Sequence, residues 1–161
     1  MKKQWVALIV GALVAAGTAQ AGGNPIQGDP ITVRVEAPIF IGPTPGCPAF
    51  RVHTRLLSES GTVIGSSMLC ASSATFDEAT ATLTEVGTLT LYLPGGTILA
   101  NATLADAFGG YPIVTQTVSG AVVAGTGLYL GASGTLSGGG TIVFDENGVP
   151  HPHSTLVIDL D

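Results

Sequence analysis

The chain has 161 residues, of which 45% are hydrophobic, and its 11 acidic residues outnumber its 5 basic ones to give a formal net charge of −6. Both lysines, Lys2 and Lys3, lie at the start, so the chain beyond residue 21 has three arginines against eleven acidic residues, a net charge of −8. Nucleic-acid affinity comes largely from lysine and arginine neutralising phosphates, so this balance excludes a nucleic-acid partner.

Residues 1–21 have the three parts of a secretory signal peptide. Two lysines precede an uncharged apolar stretch over residues 5–16, and the segment ends in the small residues Ala19 and Ala21. A membrane anchor is the alternative, but it needs about 20 apolar residues, and this run is shorter and broken by glycine. We expect cleavage after Ala21, a secreted or periplasmic protein, and no stable membrane insertion of the mature chain.

The remaining 140 residues suit a single domain. Residues 22–30 are rich in Gly, Asn, Pro and Gln and predict a flexible leader, which leaves residues 31–161 as the folded domain. No window in that domain has a convincing helical period. Eight runs rich in β-branched residues predict strands. They cover residues 31–36, 50–57, 61–71, 86–93, 96–104, 112–124, 131–144 (with a bulge at 138–140) and 154–160.

Alternation within these runs assigns side chains to faces. In residues 50–57, the charged set that includes Arg51 and Arg55 alternates with apolar residues and is expected to face solvent. Pro94 and Gly95 predict a tight turn between two strands, whereas residues 71–84, rich in Ser, Thr and Ala, are interpreted as a loop. The many glycines favour a closed barrel, in which strands must bend sharply. A β-sandwich fits the strand count as well.

The mature chain has two cysteines, Cys47 in a turn-rich stretch and Cys70 at the end of an alternating run. In an oxidising compartment such a pair is more often a disulfide than a reactive thiol or a metal site. We therefore predict a Cys47–Cys70 disulfide, with two buried free thiols as the alternative.

Three motifs resemble the allene oxide cyclase/dirigent-like barrel superfamily. They are GTLTLYLPGGTI at 87–98, VSG at 118–120 and GTGLYLGASGT at 125–135, the last with Ala124 where the family pattern has a further glycine. The resemblance implies an all-β, eight-stranded antiparallel closed barrel, commonly trimeric in the plant members. It also implies an apolar cavity for a lipid-like or phenolic small molecule, whose cyclisation or isomerisation the barrel steers. A non-catalytic carrier or an assembly module is the alternative function.

Polar candidates for lining such a cavity are Glu36, Arg55 and Tyr92, and no catalytic residue is assigned. Glu36 occupies a place comparable to that of a glutamate associated with the plant cyclases. It also lies on the polar face of its strand, which favours a plain surface carboxylate. Tyr129, among glycines, is interpreted as a structural ring packed over glycine backbone.

No metal or cofactor is predicted. His151 and His153 are the nearest approach to a metal motif, but no clustered cysteine or carboxylate completes a site. Phosphate-binding loops, nucleophile elbows and zinc-protease signatures are absent from the sequence. Asn101 begins a glycosylation sequon that applies only in a eukaryotic host.

Overall fold

The computed structural model describes residues 29–161, without the side chains of residues 37–41. The predicted signal peptide and residues 22–28 of the predicted leader lie outside the described residues. Within the described part of the chain, no helix is long and apolar enough to cross a membrane.

Eight antiparallel strands form a closed barrel in which each strand pairs with its neighbours in the chain, and the last strand pairs with the first. The predicted all-β closed barrel is thereby confirmed, and the β-sandwich alternative is wrong. A single turn of 3-10 helix, Gly127–Tyr129, lies between the sixth and seventh strands. The strands are β1 (Ile31–Thr44), β2 (Cys47–Leu57), β3 (Val63–Asp77), β4 (Thr82–Leu93), β5 (Gly96–Gly110), β6 (Ile113–Gly125), β7 (Gly134–Phe144) and β8 (Pro150–Leu160).

Two local predictions are wrong. The predicted loop at 71–84 is mostly strand, since β3 continues to Asp77 and β4 begins at Thr82, with exposed Ser and Thr side chains on the extension. Threonine is β-branched and suits a strand, so its abundance there did not indicate a loop. The predicted bulge at 138–140 is absent because β7 keeps a continuous register with both neighbours.

The apolar core fills the half of the barrel nearest the β4–β5 turn. Leu91 and Ile98 flank that turn and are fully buried, and side chains from the other strands pack with them. Tyr129 closes this end, packing against the core while its hydroxyl donates to the Pro94 carbonyl at 3.3 Å. Its ring also lies near Gly96, where a β-carbon would fall 3.2 Å from Cδ2. Tyr129 is thus placed as the structural ring that the sequence suggested.

The opposite half of the barrel is shaped by strands that approach each other closely. A β-carbon at Gly138 would collide with the Thr155 carbonyl of β8, and one at Gly140 would collide with the His153 carbonyl. Absence of a side chain at such points lets a small barrel coil tightly.

The predicted disulfide is confirmed. Cys47 at the start of β2 is bonded to Cys70 in β3, with their Cα atoms 5.1 Å apart. The bond links the start of β2, directly after the β1–β2 turn, to β3.

Candidate functional site

A cavity of about 350 Å³ occupies the half of the barrel nearest the β3–β4, β5–β6 and β7–β8 turns. Its wall is mostly apolar, with leucine and valine side chains toward the core and Phe108, Phe144 and Pro150 toward the turns. Five polar side chains interrupt this wall. They are Thr54, Ser67, Glu85, Asp106 and Gln116.

Two of the polar residues are carboxyls on adjacent strands. Glu85 of β4 lies opposite Leu104, and Asp106 of β5 lies opposite Leu83, so the two acids are diagonal neighbours on the inner face. Diagonal pairs are within reach of long side chains. Glu85 is 7% exposed and Asp106 is 6% exposed. Both acids are therefore buried in an apolar cavity.

Burial changes the proton affinity of both acids. Loss of water raises the pKa of Glu85 to about 7, and the nearby charge of Asp106 acts in the same direction. Loss of water also raises the pKa of Asp106, although the hydrogen bond from Gln116 opposes that rise. Glu85 is consequently poised to exchange a proton near neutral pH.

A chain of hydrogen bonds holds Asp106 but not Glu85. The Ser154 hydroxyl donates to Oε1 of Gln116 at 3.0 Å, and Nε2 of Gln116 donates to Oδ1 of Asp106 at 3.0 Å. Among the described residues, none donates a hydrogen bond to the Glu85 carboxyl. On the other side of the cavity, the hydroxyls of Thr54 and Ser67 bond to each other at 2.6 Å.

Aromatic rings gather at the same end of the barrel. Phe76 meets Phe108 edge-on at a centroid distance of 6.1 Å, and Phe144 lies 6.4 Å from Phe108 and 5.7 Å from Tyr111. A register shift after Ala71 places Phe76 opposite Leu83, which lines the cavity, so both residues lie on the same face of the sheet. Phe108 and Phe144 line the cavity, while Phe76 and Tyr111 are largely exposed.

The three residues predicted to line the cavity lie outside it. Glu36 forms an ion pair with Arg34 at 2.9 Å on the outer face of β1. Arg55, its partner in register on β2, is exposed, and Tyr92 on β4 is 40% exposed. All three alternate with residues that face the interior, so their own side chains face outward. The expectation that they line the cavity is wrong for this reason. The surface-carboxylate interpretation of Glu36 agrees with its position.

The histidines also lie outside the cavity. His151 and His153 are exposed on β8, and Nε2 of His151 is 3.4 Å from Oδ2 of Asp145. Within residues 29–161, no group of three or more potential ligands is arranged to hold a metal ion.

Comparisons with known proteins do not assign the chain to a family. No family model matches it, and a search of curated proteins gives no match. A solved structure described as a pyocyanin demethylase is similar with a TM-score of 0.45 and 19% identity, over 82% of this chain and 99% of that one. A likeness at this TM-score carries no argument about the activity of this chain.

Proposed function

We propose that this protein is an exported β-barrel that binds one apolar small molecule in its cavity and steers the cyclisation or isomerisation of that molecule. One observation carries the proposal: an apolar cavity of about 350 Å³ has a buried carboxyl pair in its wall. Small-molecule sites typically occupy about 300–1,000 Å³ and are apolar with a few polar groups. The proposal includes membership of the allene oxide cyclase/dirigent-like superfamily, which the resemblance of the sequence motifs supports.

The presence of two buried acids supports ligand binding over a purely structural barrel. An unpaired carboxyl inside an apolar wall reduces stability, and leucine or valine in its place would fill the space at no such penalty. Glu85 and Asp106 thus resemble the few polar groups that orient a ligand.

Proton exchange at Glu85 supports a reaction rather than transport alone. A carboxyl with a pKa of about 7 gives and takes a proton readily near neutral pH, which suits general acid or base catalysis. The apolar wall would fold a reactive molecule into one conformer and keep water away from it.

Titration with the neutral dye N-phenyl-1-naphthylamine tests the binding site. We expect saturable binding with one dye per barrel, and loss of that binding in Leu104→Trp, which fills the cavity from its wall. Val86→Trp is the matched control, because Val86 is exposed on the outer face of the same strand pair and its replacement should leave binding unchanged. Absence of saturable binding in folded wild-type protein would leave only a scaffold role.

The resemblance also implies self-association, and we predict a trimer. Apolar side chains remain exposed on the described surface, including Val63, Ile113 and Val123. Patches of exposed apolar side chains often mark protein interfaces. Light scattering at micromolar concentration should give a mass about three times that of one chain, and a monomeric mass would contradict this prediction.

A further inference from the structure

Most of the hydrogen-bonding capacity left in the cavity wall belongs to its two carboxyls. The Gln116 amide already donates to Asp106 and accepts from Ser154, and the hydroxyls of Thr54 and Ser67 bond to each other. One hydroxyl hydrogen and the second Gln116 N–H are not used in these bonds, but the largest unused groups are the Glu85 carboxyl and the second oxygen of Asp106. Ionised carboxyls only accept hydrogen bonds, so a ligand that pairs with them must supply donors.

The ionisable side chains in the cavity wall are both acidic, and no basic side chain of the wall balances them. None of the described cavity-lining residues is lysine, arginine or histidine, so two acids face the space without a basic side chain. A buried charge requires a partner or a proton. Below a pKa of about 7 a proton neutralises Glu85, whereas a bound cation would supply a partner for the ionised carboxyl.

Aromatic rings add a second, independent attraction for a cation. Phe108 and Phe144 line the cavity that contains the acids, and Phe76 and Tyr111 extend the same cluster to the rim. The faces of aromatic rings carry negative charge and attract cations, more strongly where water is excluded.

We propose that the cavity is specific for an apolar molecule carrying a basic nitrogen, with the protonated nitrogen held by Glu85 and Asp106 and the apolar part against the phenylalanines. This inference rests on the proposed function, because it names the class of ligand for the same site. Electrostatic complementarity then rejects acids of the same shape, which would place a third negative charge in the cavity.

Proton linkage gives this assignment a pH dependence. A bound cation favours ionised Glu85, so binding displaces the proton that the carboxyl holds below a pKa of about 7. Asp106 is the titratable group that faces Glu85 from β5. Ala74 lies opposite Glu85 on β3, and the cavity-lining residues of the other strands, Gln116 included, do not titrate. Affinity for a permanently protonated ligand should rise about tenfold from pH 6 to pH 8.

Three probes of one shape test the proposal on the full folded chain by calorimetry. They are 2-naphthylmethylamine, which is protonated across this pH range, neutral 2-naphthylmethanol and anionic 2-naphthoic acid. We expect the amine to bind at least about tenfold more tightly than the alcohol at pH 8, as for one charge-assisted hydrogen bond. The acid should bind most weakly. Titrations in buffers of different ionisation enthalpy should show proton release with the amine near pH 7.

Two variants locate the effect. Glu85→Gln keeps the shape and removes the charge, so it should abolish the preference for the amine and the proton release, while leaving the alcohol within about threefold. Asp106→Asn removes the other carboxyl and should also reduce the preference for the amine over the alcohol. Glu36→Gln is the matched control, because it removes one negative charge from the outer face and should leave all three affinities unchanged.

The outcomes separate this inference from the proposed function. Equal binding of amine and alcohol, or an amine preference that survives in Glu85→Gln, overturns the basic-nitrogen assignment while the small-molecule site stands. Binding of N-phenyl-1-naphthylamine without binding of 2-naphthylmethylamine also overturns the basic-nitrogen assignment and leaves the small-molecule site standing. Failure of every probe, the neutral dye included, overturns both.

Discussion

The Glu85 carboxyl has lost its water in the folded chain without gaining a hydrogen-bond donor among the described residues. Asp106, equally buried, has the Gln116 amide, and this difference in partners gives the two acids different roles. Asp106 is held in position, whereas Glu85 is the group whose protonation responds to what enters the cavity.

The raised pKa of Glu85 predicts that stability falls as pH rises. The folded chain holds the proton up to about pH 7, while the unfolded chain releases it near the ordinary value of 4.5. The folded state therefore binds more protons between these limits, and stability decreases with pH through that window. Above about pH 7 the free energy of unfolding is lower by up to about 3 kcal/mol than below pH 4.5. Denaturant unfolding at a series of pH values measures it.

Replacement of Glu85 by glutamine should remove most of this dependence and make the protein more stable than wild type at pH 8. Asp106→Asn should reduce the dependence further, because burial raises the pKa of Asp106 in the same direction. Glu36→Gln, on the outer face, is the control and should follow the wild-type curve. A Glu85→Gln variant with the wild-type pH profile would show that Glu85 is ionised in the folded chain at all these pH values.

The sequence alone did not reveal the acids because one predicted strand began too late and the next ended too early. The predicted strand at 86–93 began one residue after Glu85, and the strand at 96–104 ended two residues before Asp106. Strict alternation continues past both limits, through Leu83 and Glu85 on one strand and Leu104 and Asp106 on the next. Extending the period would have placed both acids on the apolar face.

At the scale of the strands, glycine determines how closely neighbours approach. We predict that Gly138→Ala destabilises the barrel by about 1–3 kcal/mol, because its β-carbon would collide with a backbone carbonyl of β8, and backbone cannot move aside cheaply. Gly109→Ala is the matched control, since a β-carbon there meets nothing within 4 Å. Thermal unfolding of the two variants compares them. Equal melting temperatures would mean that the β7–β8 ladder shifts to accommodate the methyl group.

The disulfide constrains a different pair of strands. Cys47 and Cys70 are 23 positions apart, and a cross-link closing a loop of that length stabilises by about 3 kcal/mol on the chain-entropy argument. The double variant Cys47→Ala, Cys70→Ala should lose that stability under oxidising conditions and match the reduced wild-type protein. Denaturant unfolding with and without reductant measures both. An unchanged midpoint in the variant would contradict a stabilising role for the bond.

Strand alternation and turn residues predicted an all-β chain and most of its strands, and the family resemblance favoured the closed barrel over a sandwich. Which side chains lie inside the barrel could not be predicted, because that depends on how the barrel closes. The period-two patterns and the turn at Pro94 and Gly95 are local signals, and the structure contains the hairpin they indicate. Which face becomes the interior depends on β1 meeting β8, a contact between residues more than a hundred positions apart. The hydrogen bond from Ser154 to Gln116 crosses 38 positions and has no local signal.

On the scale of the whole molecule, the remaining prediction concerns export. We predict that the exported protein begins at Gly22 and folds to the same barrel as the full chain. Among the described residues the closing ladder starts with Ile31 opposite Ile158, so cleavage after Ala21 leaves all the described strand residues in place. The Cys47–Cys70 bond is typical of an oxidising compartment and agrees with this destination.

Intact mass and N-terminal sequencing of protein recovered outside the cytoplasm test the prediction. We expect a chain of residues 22–161 without free thiols, and the same unfolding midpoint whether the chain is produced with residues 1–21 or without them. Ala21→Asp should block processing, because the signal peptidase requires small residues before the cleavage site, whereas Gly22→Ser, just beyond that site, serves as the control. Exported material that starts at Met1 would show that the segment is retained and that the predicted cleavage is wrong.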